Sequence, residues 1–183
     1  MNELFESKEE IIGLINRADN QKETIRLTEK FRLLKKERKE FYLTLNELED
    51  IFKWKLRKQY GRQEKQRRLN TNDNVISITR TAFGIKHSDV DFENKLRLKL
   101  LTSISGIEIP VASAILTLCY PEEYSVIDFR NWNQIFKSKI KKTYYTANEY
   151  IEYLNVIKSL AEKYSMTTQE IDIAIWQKDI EKI

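Results

Sequence analysis

The sequence predicts an all-α fold, a compact multi-helix domain, and three observations carry that expectation. Only four Gly and two Pro interrupt the 183 residues, too few for the many turns of an all-β chain. Three segments carry the reciprocal capping-box pattern: Thr44-Leu45-Asn46-Glu47, Thr146-Ala147-Asn148-Glu149 and Thr167-Thr168-Gln169-Glu170. In each, the Thr oxygen takes an orphan amide of the first turn and the Glu reaches back to the Thr amide. Apolar residues then recur at helical spacing after every box: Leu45, Leu48, Ile51 and Phe52; Ile151, Leu154, Ile157, Leu160 and Ala161; Ile171, Ala174 and Ile175.

The remaining elements follow in order. Leu4, Ile11, Ile12, Leu14 and Ile15 mark a first helix, and Ile25, Leu27, Phe31, Leu33 and Leu34 a second. Residues 61–72 form a polar, basic connection that the periodicity leaves as a loop. Further helices are expected over about 74–83, 91–104, 110–119 and 129–140. The length suits one core, and no repeat or low-complexity linker divides it, so residues 1–183 read as a single helical domain.

Composition excludes several classes of chemistry. One cysteine, Cys119, rules out an intrachain disulfide and any four-cysteine metal or cluster site, and it points to a cytoplasmic location. No apolar run approaches the roughly 20 residues of a membrane span, and the start MNELFESKEE is too acidic for a signal peptide. No membrane partner is expected. His87 is the only histidine, in a surface loop, so no histidine cluster exists to hold a metal. Neither a Gly-rich phosphate loop nor a serine nucleophile elbow occurs, and no cofactor is expected.

The net charge of +4 conceals an uneven distribution. Residues 53–68 contain Lys53, Lys55, Arg57, Lys58, Arg62, Lys65, Arg67 and Arg68 against a single acid, Glu64. A smaller cluster follows at Lys137, Lys139, Lys141 and Lys142. Local excess of this kind suits phosphates, where counterion release makes each cation useful whatever the base sequence.

The segment from Ser105 to Trp132, SGIEIPVASAILTLCYPEEYSVIDFRNW, carries the functional signal. An apolar helix meets Ser105-Gly106, a tight turn suited to positive φ, and Pro110 sits where a new helix starts. The product is helix, hairpin, helix over about 96–119. A loop and helix follow over about 120–140, where Asp128 stands ready to cap a helix beginning at Phe129. Arg130 in that first turn opposes the helix dipole, so it predicts either a pair with Asp128 or a phosphate contact.

This segment resembles the helix-hairpin-helix DNA glycosylases, the superfamily of endonuclease III and the 8-oxoguanine glycosylases, whose hairpin reads roughly L-P-G-V-G-x-K-x-A with V-D nearly twenty residues later. The corresponding residues here are Ile104-Ser105-Gly106-Ile107-Glu108-Ile109-Pro110-Val111-Ala112 and Ile127-Asp128. The resemblance implies Asp128 as the catalytic carboxylate and Gly106 as part of a DNA-binding hairpin. It also implies Asn72, in the Asn70–Asn74 stretch NTNDN, as a side chain inserted into the base stack. Two positions depart from the family. Glu108 replaces a glycine that approaches phosphate, and Pro110 replaces the lysine that forms a Schiff base, so the hairpin itself supplies no lyase step. The shortness of the stretch between Asn72 and Ser105 leaves the base pocket to be completed by the N-terminal helices.

The expected function is thus that of a DNA-binding protein resembling a monofunctional DNA glycosylase, which hydrolyses the N-glycosidic bond of a modified base in double-stranded DNA. Trp54, Tyr120, Tyr124 and Trp132 are the base-pocket candidates, with Tyr60 and Phe129 also available. Lys53, Lys55, Arg57, Lys58, Arg62, Arg67, Arg68 and Arg130 are the phosphate-binding candidates. Two alternatives stand beside it: a non-catalytic helix-hairpin-helix DNA-binding module, and a helical subunit whose partner is another protein. An open cleft containing Asp128 and lined by basic residues separates the first reading from the other two.

Overall fold

The computed structural model describes residues 4–18 and 21–181, and the first three residues of the acidic start lie outside that range. Its helices are α1 (Lys8–Arg17), α2 (Gln21–Glu37), α3 (Leu45–Leu56), α4 (Glu64–Arg67), α5 (Asn72–Gly84), α6 (Val90–Leu101), α7 (Ile109–Cys119), α8 (Phe129–Phe136), α9 (Ala147–Tyr164) and α10 (Thr168–Glu181). A 3-10 turn, Arg57–Gln63, links α3 to α4. No strand occurs among the described residues, and none of their helices is long and apolar enough to cross a membrane.

All three capping boxes close. The Glu47 carboxylate accepts from the Thr44 amide at 2.7 Å, and Glu149 accepts from the Thr146 amide at 2.9 Å. At α10 the Thr167 amide donates to Glu170 at 2.7 Å while the Glu170 amide donates to the Thr167 hydroxyl at 3.1 Å. Each helix start therefore satisfies two amides that would otherwise lack partners.

The chain departs from the expected pattern in two places. Residues 61–72 are largely helical rather than a loop, because Arg57 takes a left-handed φ of 46° that ends α3 and redirects the chain. Arg67 then turns inward, only 3% exposed. Its guanidinium lies over Tyr60 at 4.1 Å and Phe52 at 5.1 Å, with Glu49 at 3.7 Å. One cation of the basic run is thus a packing anchor. The helix expected to reach residue 140 stops at Phe136, where Lys137 adopts a left-handed φ of 55°.

Burial organises the rest. In α7 every residue except Pro110 is buried, and the helix packs against α2, α3 and α6. The small side chains of Ala112, Ser113 and Ala114 allow that close approach. Helix α1 lies along α10, fastened by the Arg17–Glu181 pair at 2.8 Å and by Lys178 on Glu10 and on the Leu4 carbonyl. Buried apolar residues from α1 through α10 join in one core.

Between α6 and α7 the chain turns at Gly106, whose φ is 84°. The Asn70 side chain holds the turn from outside, donating to the Ser105 carbonyl at 2.9 Å and accepting from the Ser105 amide at 3.0 Å. A Cβ at Gly106 would stand 3.0 Å from Cγ of the buried Arg67. Glycine is required here by both dihedral and space, so Gly106→Ala is expected to cost about 1–2 kcal/mol or more. Urea denaturation of the purified variant measures that loss.

Candidate functional site

The site is delivered by a buried extended segment. Residues 124–127 lack regular structure yet are buried, so their backbone groups need side-chain partners. Three helices supply them. Thr168 of α10 donates to the Tyr124 carbonyl at 2.7 Å, Tyr150 of α9 to the Ser125 carbonyl at 3.0 Å, and Tyr153 of α9 to the Val126 carbonyl at 3.0 Å. The Val126 amide donates to Asp172 of α10 at 3.4 Å, and the Ile127 amide to the Ser113 hydroxyl of α7 at 3.1 Å.

Asp128 follows as the N-cap of α8. Its Oδ1 accepts from the amides of Arg130 and Asn131, both at 3.0 Å. Among the described residues Oδ2 makes no hydrogen bond. The half-buried carboxylate is therefore oriented through one oxygen and free at the other.

Asp128 lines an open cavity of about 540 Å³, within the roughly 300–1,000 Å³ range of small-molecule sites. Gln21 and Thr24 of α2 and Trp54 and Lys55 of α3 form one wall, while Arg57 and Lys58 of the 3-10 turn add positive charge. Phe129 and Asn131 of α8, with Asp172 and Trp176 of α10, form the other. Helices α2 and α3 thus supply one wall of this cavity. Trp54 is fixed by an indole bond to the Thr24 hydroxyl at 3.1 Å, and Arg57 stands over the Trp176 ring at 5.6 Å.

Two titratable groups here are displaced from their ordinary values. Asp172 is only 8% exposed and accepts from the Tyr153 hydroxyl at 3.0 Å and from the Asn131 amide. Burial first and the charge of Asp128 second push its pKa up to about 7, against the opposing pull of Tyr153 and Lys55. Lys55 is half-buried by surface area, with its amine deep enough among protein atoms that burial holds it below the ordinary lysine range. Asp128 and Asp172 oppose that shift, and Arg57 adds to it. No hydrogen bond or ion pair joins Lys55 to the other described residues, and its side chain is only partly buried, within the cavity lining.

The candidates named from the sequence divide. Asp128, Trp54, Lys55, Arg57, Lys58 and Arg130 meet in the cavity. Arg130 pairs with Asp179 at 2.7 Å, neither with Asp128 nor outward, because α10 presents an acid beside the first turn of α8. Lys53 and Arg62 are exposed, Arg68 pairs with Glu64 at 2.5 Å, and Arg67 is spent inside the fold. Asn72 accepts from the Leu45 amide at 3.0 Å, which ties it to the start of α3. Gly106 faces Arg67.

Three of the four base-pocket aromatics lie elsewhere. Tyr120 packs with Phe41, Phe83 and Tyr124. Tyr124 is buried and bonded to Arg97 and Asn94, both at 2.7 Å. Trp132 packs on Phe136 and Tyr145. Nearness to Asp128 in sequence did not bring these rings to it, because α8 turns its pocket-facing side through Phe129 and Asn131 instead.

Asp172, Asn131 and Trp176 were not anticipated. A signal was present in Ile171-Asp172-Ile173: an acid beside the apolar stripe of Ile171, Ala174 and Ile175, with a tryptophan one turn later. Comparison with protein-family models, with curated proteins and with solved structures gave no match.

The coupling of the two acids is measurable. An NMR titration of the Asp172 carboxyl carbon is expected to give a midpoint near pH 7, and a lower one in Asp128→Asn, where the neighbouring charge is gone. Because the folded value lies above the unfolded one of about 3.9, the stability linked to this group is present below that value and is lost as pH rises through the folded one. The melting temperature of Asp172→Asn relative to wild type should therefore move in the variant's favour between pH 4 and 8. Parallel melting curves would contradict the assignment.

Proposed function

We propose that the chain is a DNA-binding hydrolase of the helix-hairpin-helix glycosylase type, with α6, the Gly106 turn and α7 as its hairpin and Asp128 as the catalytic carboxylate. The observation that carries this reading is the position of Asp128: a capped carboxylate with one free oxygen, inside an open cavity walled by Trp54, Phe129 and Trp176 and edged by Arg57 and Lys58. Cleavage of an N-glycosidic bond develops positive charge on the sugar, and a fixed carboxylate stabilises that charge or orients the attacking water. Aromatic walls suit a base withdrawn from its stack, and exposed cations beside the opening suit the flanking phosphates. Lys141, over the Phe129 ring at 5.5 Å, adds charge on the far side.

Incubation with duplexes carrying a panel of modified bases, followed by alkaline cleavage of abasic sites, tests the reaction. Asp128→Asn keeps the capping oxygen and should fold within about 1 kcal/mol of wild type. Its rate should nonetheless fall by at least about a hundredfold, with DNA still bound. Full activity in that variant would reduce Asp128 to a helix cap. Binding without base release on every duplex would instead support a non-catalytic module.

The basic edge has its own test. Reversing Arg57, Lys58 and Arg62 to Glu should weaken duplex binding and flatten its dependence on salt concentration, because fewer counterions are released. An unchanged salt slope would return these residues to an ordinary solvated face.

A further inference from the structure

The clamp on residues 124–127 turns on how many hydrogens are available around one atom. The Tyr153 oxygen stands 3.0 Å from the Val126 carbonyl oxygen, 3.0 Å from Asp172 Oδ1 and 3.0 Å from the Ser125 hydroxyl. Two oxygens this close need a hydrogen between them. Tyr153 has one to give, and Ser125 supplies another. A carbonyl has none, so the Val126 contact takes the hydrogen of Tyr153. The Asp172 contact is then bridged only if Asp172 carries a proton of its own.

The other neighbours of Asp172 restrict where that proton can sit. The Val126 amide donates to Oδ2 at 3.4 Å, and Asn131 Nδ2 donates to Oδ1. Asn131 cannot turn its amide around, because the same nitrogen donates to the Asp172 main-chain carbonyl at 3.1 Å, where an oxygen would be repelled. Both groups are donors, so a proton on Oδ1 finds its acceptor on the hydroxyl side, at Tyr153.

We propose that Asp172 and Tyr153 form a proton latch on the segment that carries Asp128: while Asp172 holds its proton, Tyr153 donates to the Val126 carbonyl, and when Asp172 releases it, the Tyr153 hydrogen swings to the carboxylate and the carbonyl loses its partner. The latch does not depend on the reaction assigned to the cavity.

The proton balance closes without a further group. Asp172 lines the open cavity, so its proton leaves to solvent and the carboxyl gains one negative charge. The hydrogen of Tyr153 stays on its oxygen and only rotates. That rotation exchanges a bond to a neutral carbonyl for one to a carboxylate, the stronger acceptor. Around Asp172 the titratable and charged groups are Asp128 of α8, Lys55 of α3, and Tyr153 and Tyr150 of α9. Asp128 holds the proton on and Lys55 draws it off, and with burial they place its release at about pH 7. Arg57 and Lys58 of the 3-10 turn share the cavity lining. Arg130 of α8 is paired with Asp179, and on the α1 side Arg17 and Glu10 are paired with Glu181 and Lys178. Val126 lies two residues before Asp128, so the latch reaches that carboxylate through the backbone, closed below neutrality and open above it.

Backbone NMR of the full chain tests the latch. The carbonyl-carbon shift of Val126 should titrate with the same midpoint as the Asp172 carboxyl, in the direction of a lost hydrogen bond as pH rises. Protection of the Ile127 amide, corrected for the pH dependence of chemical exchange, should fall by about tenfold over the same range, the effect of one hydrogen bond. Asp172→Asn has no proton to release, so both readouts should stay flat between about pH 5 and 9. In Tyr153→Phe the carbonyl has no hydroxyl to lose, and the Val126 shift should no longer follow Asp172.

A Val126 carbonyl that stays constant while Asp172 titrates, or one that titrates unchanged in Tyr153→Phe, overturns the latch. So does an Asp172 that keeps one protonation state across that range. The wild-type titration decides the matter alone if either variant fails to fold.

Discussion

The structure depends on how a non-helical stretch of backbone is held inside an otherwise helical core. An extended segment there cannot satisfy its own amides and carbonyls, and each one left unpaired would cost several kcal/mol at the upper end. Residues 124–127 avoid most of that cost because Ser113, Tyr150, Tyr153, Thr168 and Asp172 supply partners from three helices, while the Tyr124 amide donates to the Tyr120 carbonyl. These bonds determine where α7, α9 and α10 can sit relative to one another. They also fix the direction in which the chain enters α8, and hence the position of Asp128.

The same clamp explains the electrostatics of the cavity. Asp172 serves the clamp, yet it lies in the lining beside Asp128 and Lys55, so a structural acid, the proposed catalytic carboxylate and a basic side chain share one field. With a pKa raised to about 7, Asp172 gains its proton as pH falls below neutrality, and its charge no longer acts on Lys55. Above neutrality the negative charge of Asp172 develops, which favours the charged form of Lys55. The charge state of the site is thus set partly by a group whose first task is to hold backbone.

Much of the fold was legible because its signals are local. The capping boxes at Thr44, Thr146 and Thr167 involve residues three apart, and the glycine at position 106 answers a dihedral that its own turn imposes. Asp128 was legible for the same reason, as a preferred cap before Phe129. The cavity walls were not. Tyr120, Tyr124 and Trp132 lie near Asp128 along the chain, whereas Trp54 and Trp176 reach it from α3 and α10, and no spacing rule connects them. Lys55 and Arg67 illustrate the limit most clearly. Both belong to one basic run, but one enters the cavity and the other packs on Phe52 and Tyr60, a difference set by the left-handed turn at Arg57 rather than by charge.

The pairing of α1 with α10, together with a cavity drawn from α2, α3, α8 and α10, has a kinetic consequence. These contacts join parts of the chain separated by most of its length, and closing such loops costs entropy before any of the packing is gained. The cavity therefore cannot mature helix by helix. The amides of Val126 and Ile127, bonded to α10 and α7, become protected from hydrogen exchange only when the distant helices have docked. Undocking of α10 removes both the partner of the Val126 amide and a wall of the cavity.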